Sequence, residues 1–296
     1  MTPRKMLPLC ALGVLLLAGC WNGRVLFSFE QPFWAAVGGT RTRISLAEAS
    51  LAGGYFPRID VAPSATDPRE RLVEMLSLHR YSLAVVGPLL SLEDAAYAGR
   101  FPGTRFVLID VRAQGHSLPP NVVALSFDRT EAFRKAGSAA AAAVQSGRVG
   151  VLLSTDSDVT ADEEHAFLSG AADALRNETP VERILPVPVD KAAVTSAVQQ
   201  MRAQGVEILL IGLGGLNPSA LEALRGAGGS AVLADWAASG GSAAQVLVSI
   251  ECDVIGGVAR AIEALGSGAR EASGPVKLVA GKARSPALPT VKGKKI

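Results

Sequence analysis

VGVLLSTDSDVTADEEHAFLSGAADAL, Val149 to Leu175, holds the structural plan of the chain in one unit. The run Val149–Leu153 is almost unbroken in Val and Leu, which predicts a strand covered on both faces. A polar loop follows, and then a helix over Asp162–Leu175. Thr160 and Glu163 stand at capping-box spacing at its start. Asp162, Glu163 and Glu164 fall in the first turn, where the helix dipole favours acids. His165 beside those acids would suit a metal, but the cap already accounts for them. A short apolar strand feeding a longer helix is half of a βαβ unit, the building block of parallel sheets.

The same unit recurs in both directions. Strands are expected at Val25–Phe29, Arg58–Val61, Ser82–Val86, Arg105–Ile109, Val122–Ser126, Glu182–Val187, Ile208–Ile211, Ala231–Ala234 and Val246–Ser249. Helices are expected within Phe33–Leu51 and over Pro68–His79, Ser91–Ala98, Glu131–Ser146, Ala192–Ala203, Pro218–Gly226 and Asp253–Leu265. These are too many strands for one comfortable sheet, and the pattern restarts after the Ala-rich helix Glu131–Ser146. The fold class is therefore α/β, with two doubly wound parallel-sheet lobes. A strand at Val246–Ser249 would carry the chain back to the first lobe and give the last helix a place there.

The amino end sets the compartment. Arg4 and Lys5 precede an apolar run from Met6 to Leu17, which is shorter than the roughly 20 residues that span a bilayer as a helix. That is the make-up of a secretory signal. Leu17-Ala-Gly-Cys20 resembles the bacterial lipobox, which implies removal of residues 1–19 and lipidation of Cys20, palmitate included, as the first mature residue. Acyl chains at one Cys would hold the body on the exported face of a membrane without spanning it. Cys10 would leave with the signal, so Cys252 has no disulfide partner.

Composition agrees with a soluble body. Of 296 residues, 49% are hydrophobic, enough for a sizeable core, and the formal net charge is +2. Arg4 and Lys5 depart with the signal, so the balance invites no nucleic acid. Lys277, Lys282, Arg284, Lys292, Lys294 and Lys295 gather without an acid after Val276, in what reads as a solvated tail.

Three stretches carry a family resemblance. Leu92-Glu-Asp-Ala-Ala-Tyr-Ala-Gly-Arg-Phe-Pro-Gly-Thr-Arg-Phe-Val-Leu-Ile-Asp110 has a helix, an aromatic-Pro turn and a strand ending in Asp. Asn121-Val-Val-Ala-Leu-Ser-Phe127 precedes a helix of small residues, and Gln245-Val-Leu-Val-Ser-Ile250 leads into the last helix. Together they resemble the type I periplasmic binding protein fold, and within it the basic membrane lipoprotein family, which includes nucleoside receptors. The first loop, Phe29-Glu-Gln-Pro-Phe-Trp34, departs from that family and is closer to the loop of sugar-binding relatives. The resemblance implies three crossing segments between the lobes, near Ser126–Asp128, Val248–Glu251 and Gly274–Lys282. The division would be residues 20–126 for the first lobe, 127–247 for the second, 248–275 for the return to the first, and 276–296 for the third crossing and basic tail.

Candidate ligand residues gather at the expected strand ends. Pro32 suits a first helical turn, which puts Phe33 and Trp34 where the first strand gives way to its helix. That is the carboxyl edge of the sheet, where open α/β folds bind ligands, and an aromatic face there can stack on a sugar or a base. Packing in the core competes with that reading. Asp235 closes the strand Ala231–Ala234 and is followed by Trp236; the resemblance makes Asp235 an acceptor for ligand hydroxyls, and a carboxylate can accept from both hydroxyls of a vicinal diol. Asp158, with Asp156, follows another strand and would line the same cleft. Phe127, by resemblance, faces that cleft from the first crossing. Whether Glu251 or Cys252 touches ligand stays open. Ile211-Gly-Leu-Gly-Gly-Leu-Asn217 approaches a dinucleotide fingerprint but fails at its third Gly, where Asn217 stands.

No catalytic set, metal cluster or cofactor motif is visible. The expectation is a non-enzymatic substrate-binding lipoprotein of an ABC importer, closing two lobes on a nucleoside or sugar and delivering it to a permease. A ligand sensor feeding a signalling receptor and an NAD-dependent oxidoreductase are the competing readings.

Overall fold

The computed structural model describes residues 22–63, 66–88, 97–110, 118–145, 148–155, 157, 159–172, 180–186, 188–235 and 244–283. Residues 1–19, Cys20, Asp156, Asp158, Trp236 and most of the expected helix Ser91–Ala98 lie outside them. Tyr97–Arg100 forms a single 3-10 turn.

The strands are β1 (Gly23–Glu30), β2 (Tyr55–Ala62), β3 (Leu83–Val86), β4 (Arg105–Ile109), β5 (Val122–Ser126), β6 (Arg148–Ser154), β7 (Val181–Leu185), β8 (Val206–Gly212), β9 (Ser230–Asp235), β10 (Val246–Cys252), β11 (Glu271–Ser273) and β12 (Val276–Ala280). The helices are α1 (Gln31–Ala36), α2 (Thr40–Ala52), α3 (Pro68–Leu78), α4 (Thr130–Ala143), α5 (Ala161–Ala172), α6 (Lys191–Ala203), α7 (Asn217–Ala227) and α8 (Val254–Ser267). Starts follow local chemistry. Asp67 caps α3, its carboxylate accepting from Arg69 N at 2.8 Å, with Pro68 in the first turn. Asp190 caps α6 through Ala193 N at 2.7 Å.

The chain divides into two compact units. Among the described residues the first holds 22–34, then Gly39–Ser126 and Ile255–Gly274; the second holds Ala35–Gly38, Phe127–Val254 and 275–283. The first sheet runs β11-β5-β4-β3-β1-β2, and all its pairings are parallel. The second runs β12-β10-β9-β8-β6-β7, parallel except for β10 with β12. Apolar strands are covered on both faces. In the second unit Val149, Val151 and Leu153 pack with Phe133 and Phe167 on one face, and Leu152, Leu209 and Ile211 pack with Val198 and Met201 on the other. In the first unit Leu26, Ala84, Phe106 and Leu108 meet Leu72 and Met75 of α3. Each of these side chains larger than Ala contributes about 1.5–3 kcal/mol on burial.

Two expectations need correction. The sequence pattern puts the return to the first unit at residue 248, but β10 continues to Cys252 inside the second sheet, held between β9 and β12. The chain passes to the first unit only after Val254. The edge strands β11 and β12 are not among the strands expected from the sequence. Glu271-Ala-Ser273 has little apolar content and is a strand by virtue of pairing with β5.

The capping box read from the sequence forms. Thr160 N donates to Glu163 Oε2 at 2.9 Å, and Glu163 N donates to Thr160 Oγ1 at 3.3 Å. Beside it, α4 and α5 cross closely because Gly137 and Gly170 have no side chain. A Cβ at Gly137 would overlap the Phe167 carbonyl, and one at Gly170 would overlap the Arg134 carbonyl. Gly137→Ala should therefore destabilise by about 1–3 kcal/mol or more, as overpacking against backbone cannot be relieved by a rotamer change. Gly226→Ala in α7, where nothing lies within 4 Å of an added Cβ, should instead be neutral or stabilise by up to about 1 kcal/mol. Thermal melts of the two variants check the contrast.

Candidate ligand-binding site

Both sheets share one strand order. Around the first strand of each unit the sequence is second, first, third, fourth, fifth: β2-β1-β3-β4-β5 and β7-β6-β8-β9-β10. Successive connections leave to opposite sides where the order reverses, so a crevice opens beyond the carboxyl ends of β1 and β3, and of β6 and β8.

At the first of these switch points the Glu30 carboxyl is buried and packs over Gly87, where a Cβ would overlap it. Gly87 N donates to Ser28 O at 3.0 Å, which holds the end of β3 against β1. Phe33 and Trp34 sit directly after β1, in α1, as expected. Both are buried: Phe33 meets Phe29 edge-on at 5.4 Å between centroids, and Trp34 stacks on Phe29 at 5.9 Å. The Arg43 guanidinium lies over the Trp34 ring at 5.9 Å. These contacts belong to an aromatic cluster that continues to Phe27. Asp110, after β4, adopts φ 58°, a left-handed conformation that Asp tolerates better than most residues.

In the second unit the loops at the carboxyl edge are laced together. The Ser157 hydroxyl after β6 donates to Gly212 O at 2.9 Å, joining the two strands of the switch point. A Cβ at Gly212 would press on the side chains of Leu153, Val159 and Ser157, which would have to shift. Asn217 opens α7 and is buried. Its Oδ1 accepts from Leu213 N at 2.9 Å, and its Nδ2 donates to Ala234 O at 3.3 Å. The residue that breaks the dinucleotide fingerprint thus ties the β8 loop to the end of β9.

Asp235 is the last residue of β9, and in register it lies opposite Glu251 of β10, which in turn lies opposite Lys277 of β12. Burial pushes the Glu251 carboxyl above the usual carboxylate range; the Ser249 hydroxyl and the Lys277 ammonium oppose the shift. Glu251 Oε1 is buried and has no hydrogen-bond partner among the described residues. Cys252 is buried. Phe127, the first residue of the main segment of the second unit, is 1% exposed. Asp158 and Trp236 fall outside the described residues. Sequence reasoning missed the buried Glu30 and the Asn217 ties, because both depend on partners distant in the chain.

A family model described as ABC transporter substrate-binding protein, PnrA-like, matches residues 78–267, well over half of the chain. The fold is similar to that of a transcriptional activator of the comK gene from Bacillus halodurans, at 17% identity and TM-score 0.68, covering 90% of this chain and 92% of that one. It is similar to an ABC transporter solute-binding protein from Agrobacterium vitis bound with alpha-D-tagatopyranose, at 14% identity and TM-score 0.67, covering 88% and 95%. It is also similar to an ABC transporter solute-binding protein from Aeropyrum pernix K1, at 19% identity and TM-score 0.65, covering 87% and 76%. At these identities the likeness is one of fold. None of the curated proteins matches the chain.

A carboxyl whose folded pKa is raised favours the native state only below its unfolded value, and that contribution is lost as pH rises through the folded value. Glu251→Gln should therefore raise the melting temperature at pH 7 to 8. The gain over the parent should shrink as pH falls toward about 4.3, the ordinary Glu value. Melting curves of the two proteins across that range provide the check, and a gain that persists unchanged at acid pH would assign it to another cause.

Proposed function

The chain belongs to the family of PnrA-like ABC transporter substrate-binding proteins, and on that premise we propose that its ligand is a nucleoside or a sugar. The observation that carries this choice is the place of Asp235, at the carboxyl end of β9 beside the laced β6 and β8 loops. An aspartate there can accept from two neighbouring hydroxyls at once, the pattern that a ribose and a pyranose share. Family membership agrees with a small ligand passed to a permease, and the Agrobacterium vitis neighbour holds a sugar. In the first unit Phe33 and Trp34 are the candidate contacts, and in the second Phe127, Asp158 and Trp236 are candidates with Asp235. Trp34 is buried, with Phe29 stacked on its ring and Arg43 over it, so a ligand would meet only the remaining margin of that ring.

The chain acts as a binding protein without chemistry of its own. It is held on the exported face by lipid on Cys20, and no described helix is long and apolar enough to cross a membrane.

Calorimetry against a panel of nucleosides and monosaccharides tests the ligand class. Asp235→Ala should weaken the bound member by about 1–3 kcal/mol, or roughly 5- to 150-fold, because hydroxyls would lose a charged acceptor. Trp34→Ala should weaken it comparably if the ring meets ligand; intact affinity with a lowered melting temperature would assign Trp34 to packing alone. Affinity unchanged in both variants would move the site elsewhere. For the anchor, Cys20→Ser should abolish palmitate labelling and release the protein from the membrane fraction, and retained label in that variant would refute lipidation at Cys20.

A further inference from the structure

The amino edge of the first sheet takes no part in the ligand reading, and it is strongly basic. Because β1, β2, β3, β4, β5 and β11 run the same way, every turn entering these strands lies along one rim. Arg24 is the second residue of β1, Arg80 precedes β3, Arg100 and Arg105 bound the turn into β4, and Arg270 precedes β11; all are exposed. Backbone bonds make them neighbours: Ser82 N donates to Arg24 O at 2.9 Å, Arg105 N to Ser82 O at 3.0 Å, and Ala124 N to Arg270 O at 2.9 Å. Their heads are held at the rim. Arg270 Nη1 donates to Pro119 O at 2.7 Å, Arg105 Nη1 to Leu265 O at 3.4 Å, and Arg24 lies over the Tyr81 ring at 5.3 Å. Glu271 is the one acid among the described turns of this rim. Leu51 and Leu78, in the last turns of α2 and α3, add exposed apolar surface at 46% and 64%.

Chain length fixes what this rim meets. Cys20 stands only three residues before Gly23, where β1 begins. At about 3.5 Å per residue, lipid on Cys20 brings the rim within about 10 Å of the headgroups. That is about one Debye length at physiological salt, so headgroup charge is felt with little screening. We propose that this rim, with Arg24, Arg80, Arg100, Arg105 and Arg270, is a contact face for an anionic phospholipid bilayer. Guanidinium forks match phosphate oxygens, and the exposed leucines suit the boundary between headgroups and acyl chains. The proximity rests on the proposed lipidation of Cys20; the charge complementarity belongs to the rim itself.

The test uses the mature chain from residue 20 carrying Cys20→Ser, so that no lipid obscures the contact. It is floated with vesicles of phosphatidylcholine alone or mixed with phosphatidylglycerol. Binding should appear only with phosphatidylglycerol and fall steeply between 0.05 and 0.5 M salt, test conditions on either side of a Debye length of about 10 Å. At roughly fivefold per arginine near an anionic surface, the combined Arg80→Gln, Arg100→Gln, Arg105→Gln and Arg270→Gln variant should bind on the order of several hundredfold more weakly while still melting cooperatively. A variant with Lys292, Lys294 and Lys295 changed to Gln should bind like the parent. No binding to phosphatidylglycerol vesicles, equal binding by the arginine variant, or a loss confined to the tail variant would each overturn the proposal. Palmitate labelling at Cys20 reads the anchor separately, so failure of one leaves the other measurable.

Discussion

The second unit depends on one buried ion pair. Arg129 Nε donates to Glu163 Oε1 at 2.9 Å and its Nη2 to Glu163 Oε2 at 2.9 Å, with side chains 3% and 0% exposed. Removing either partner would strand a charge in the interior, at a cost of about 3–5 kcal/mol. The Glu163 carboxylate also accepts from Thr160 N, so one group joins the start of α4 to the cap of α5. The joint therefore fixes two things at once. Arg129 follows directly on the entry of the chain into this unit at Phe127, and Thr160 ends the loop that carries Ser157 to the switch point of the sheet.

The passages of the chain between the units are secured in the same local way. Ser126 O accepts from Gly274 N at 2.8 Å, which ties the exit after Ser126 to the exit after Gly274. Asp253 N donates to Pro275 O at 2.9 Å, and its carboxylate meets Lys277 at 3.3 Å, beside the third passage. The antiparallel β12 exists because of this arrangement. It returns along β10 from Cys252 to Val248 and closes the edge of the second sheet.

Much of this architecture is legible in the amino-acid order alone. Continuous Val, Ile and Leu runs mark strands buried on both faces, and Thr160 with Glu163 announces its helix by a contact three residues away. What escapes the sequence is non-local or polar. β10 runs past Ser249 because pairing with β9 and β12 outweighs the charge of Glu251, and β11 is a strand through β5 alone. Phe33 and Trp34 stand out as an aromatic cluster, but whether they pack or stack on ligand depends on Phe29 and Arg43, whose reach no spacing encodes. Asn217 reads as a missing glycine; its part as a tie emerges only when Leu213 N and Ala234 O converge on it.

The architecture and the family together describe a substrate-binding protein for a small ligand, with a basic amino rim on the first unit. Everything in that description turns on occupancy by one nucleoside or sugar. Native mass spectrometry of the protein purified under mild conditions measures that directly. The account predicts a single adduct with the mass of one nucleoside or one monosaccharide, exchanged stoichiometrically when the same compound is supplied in excess. A protein that stays at its bare mass with every nucleoside and sugar offered, or that instead takes up NAD, would contradict it.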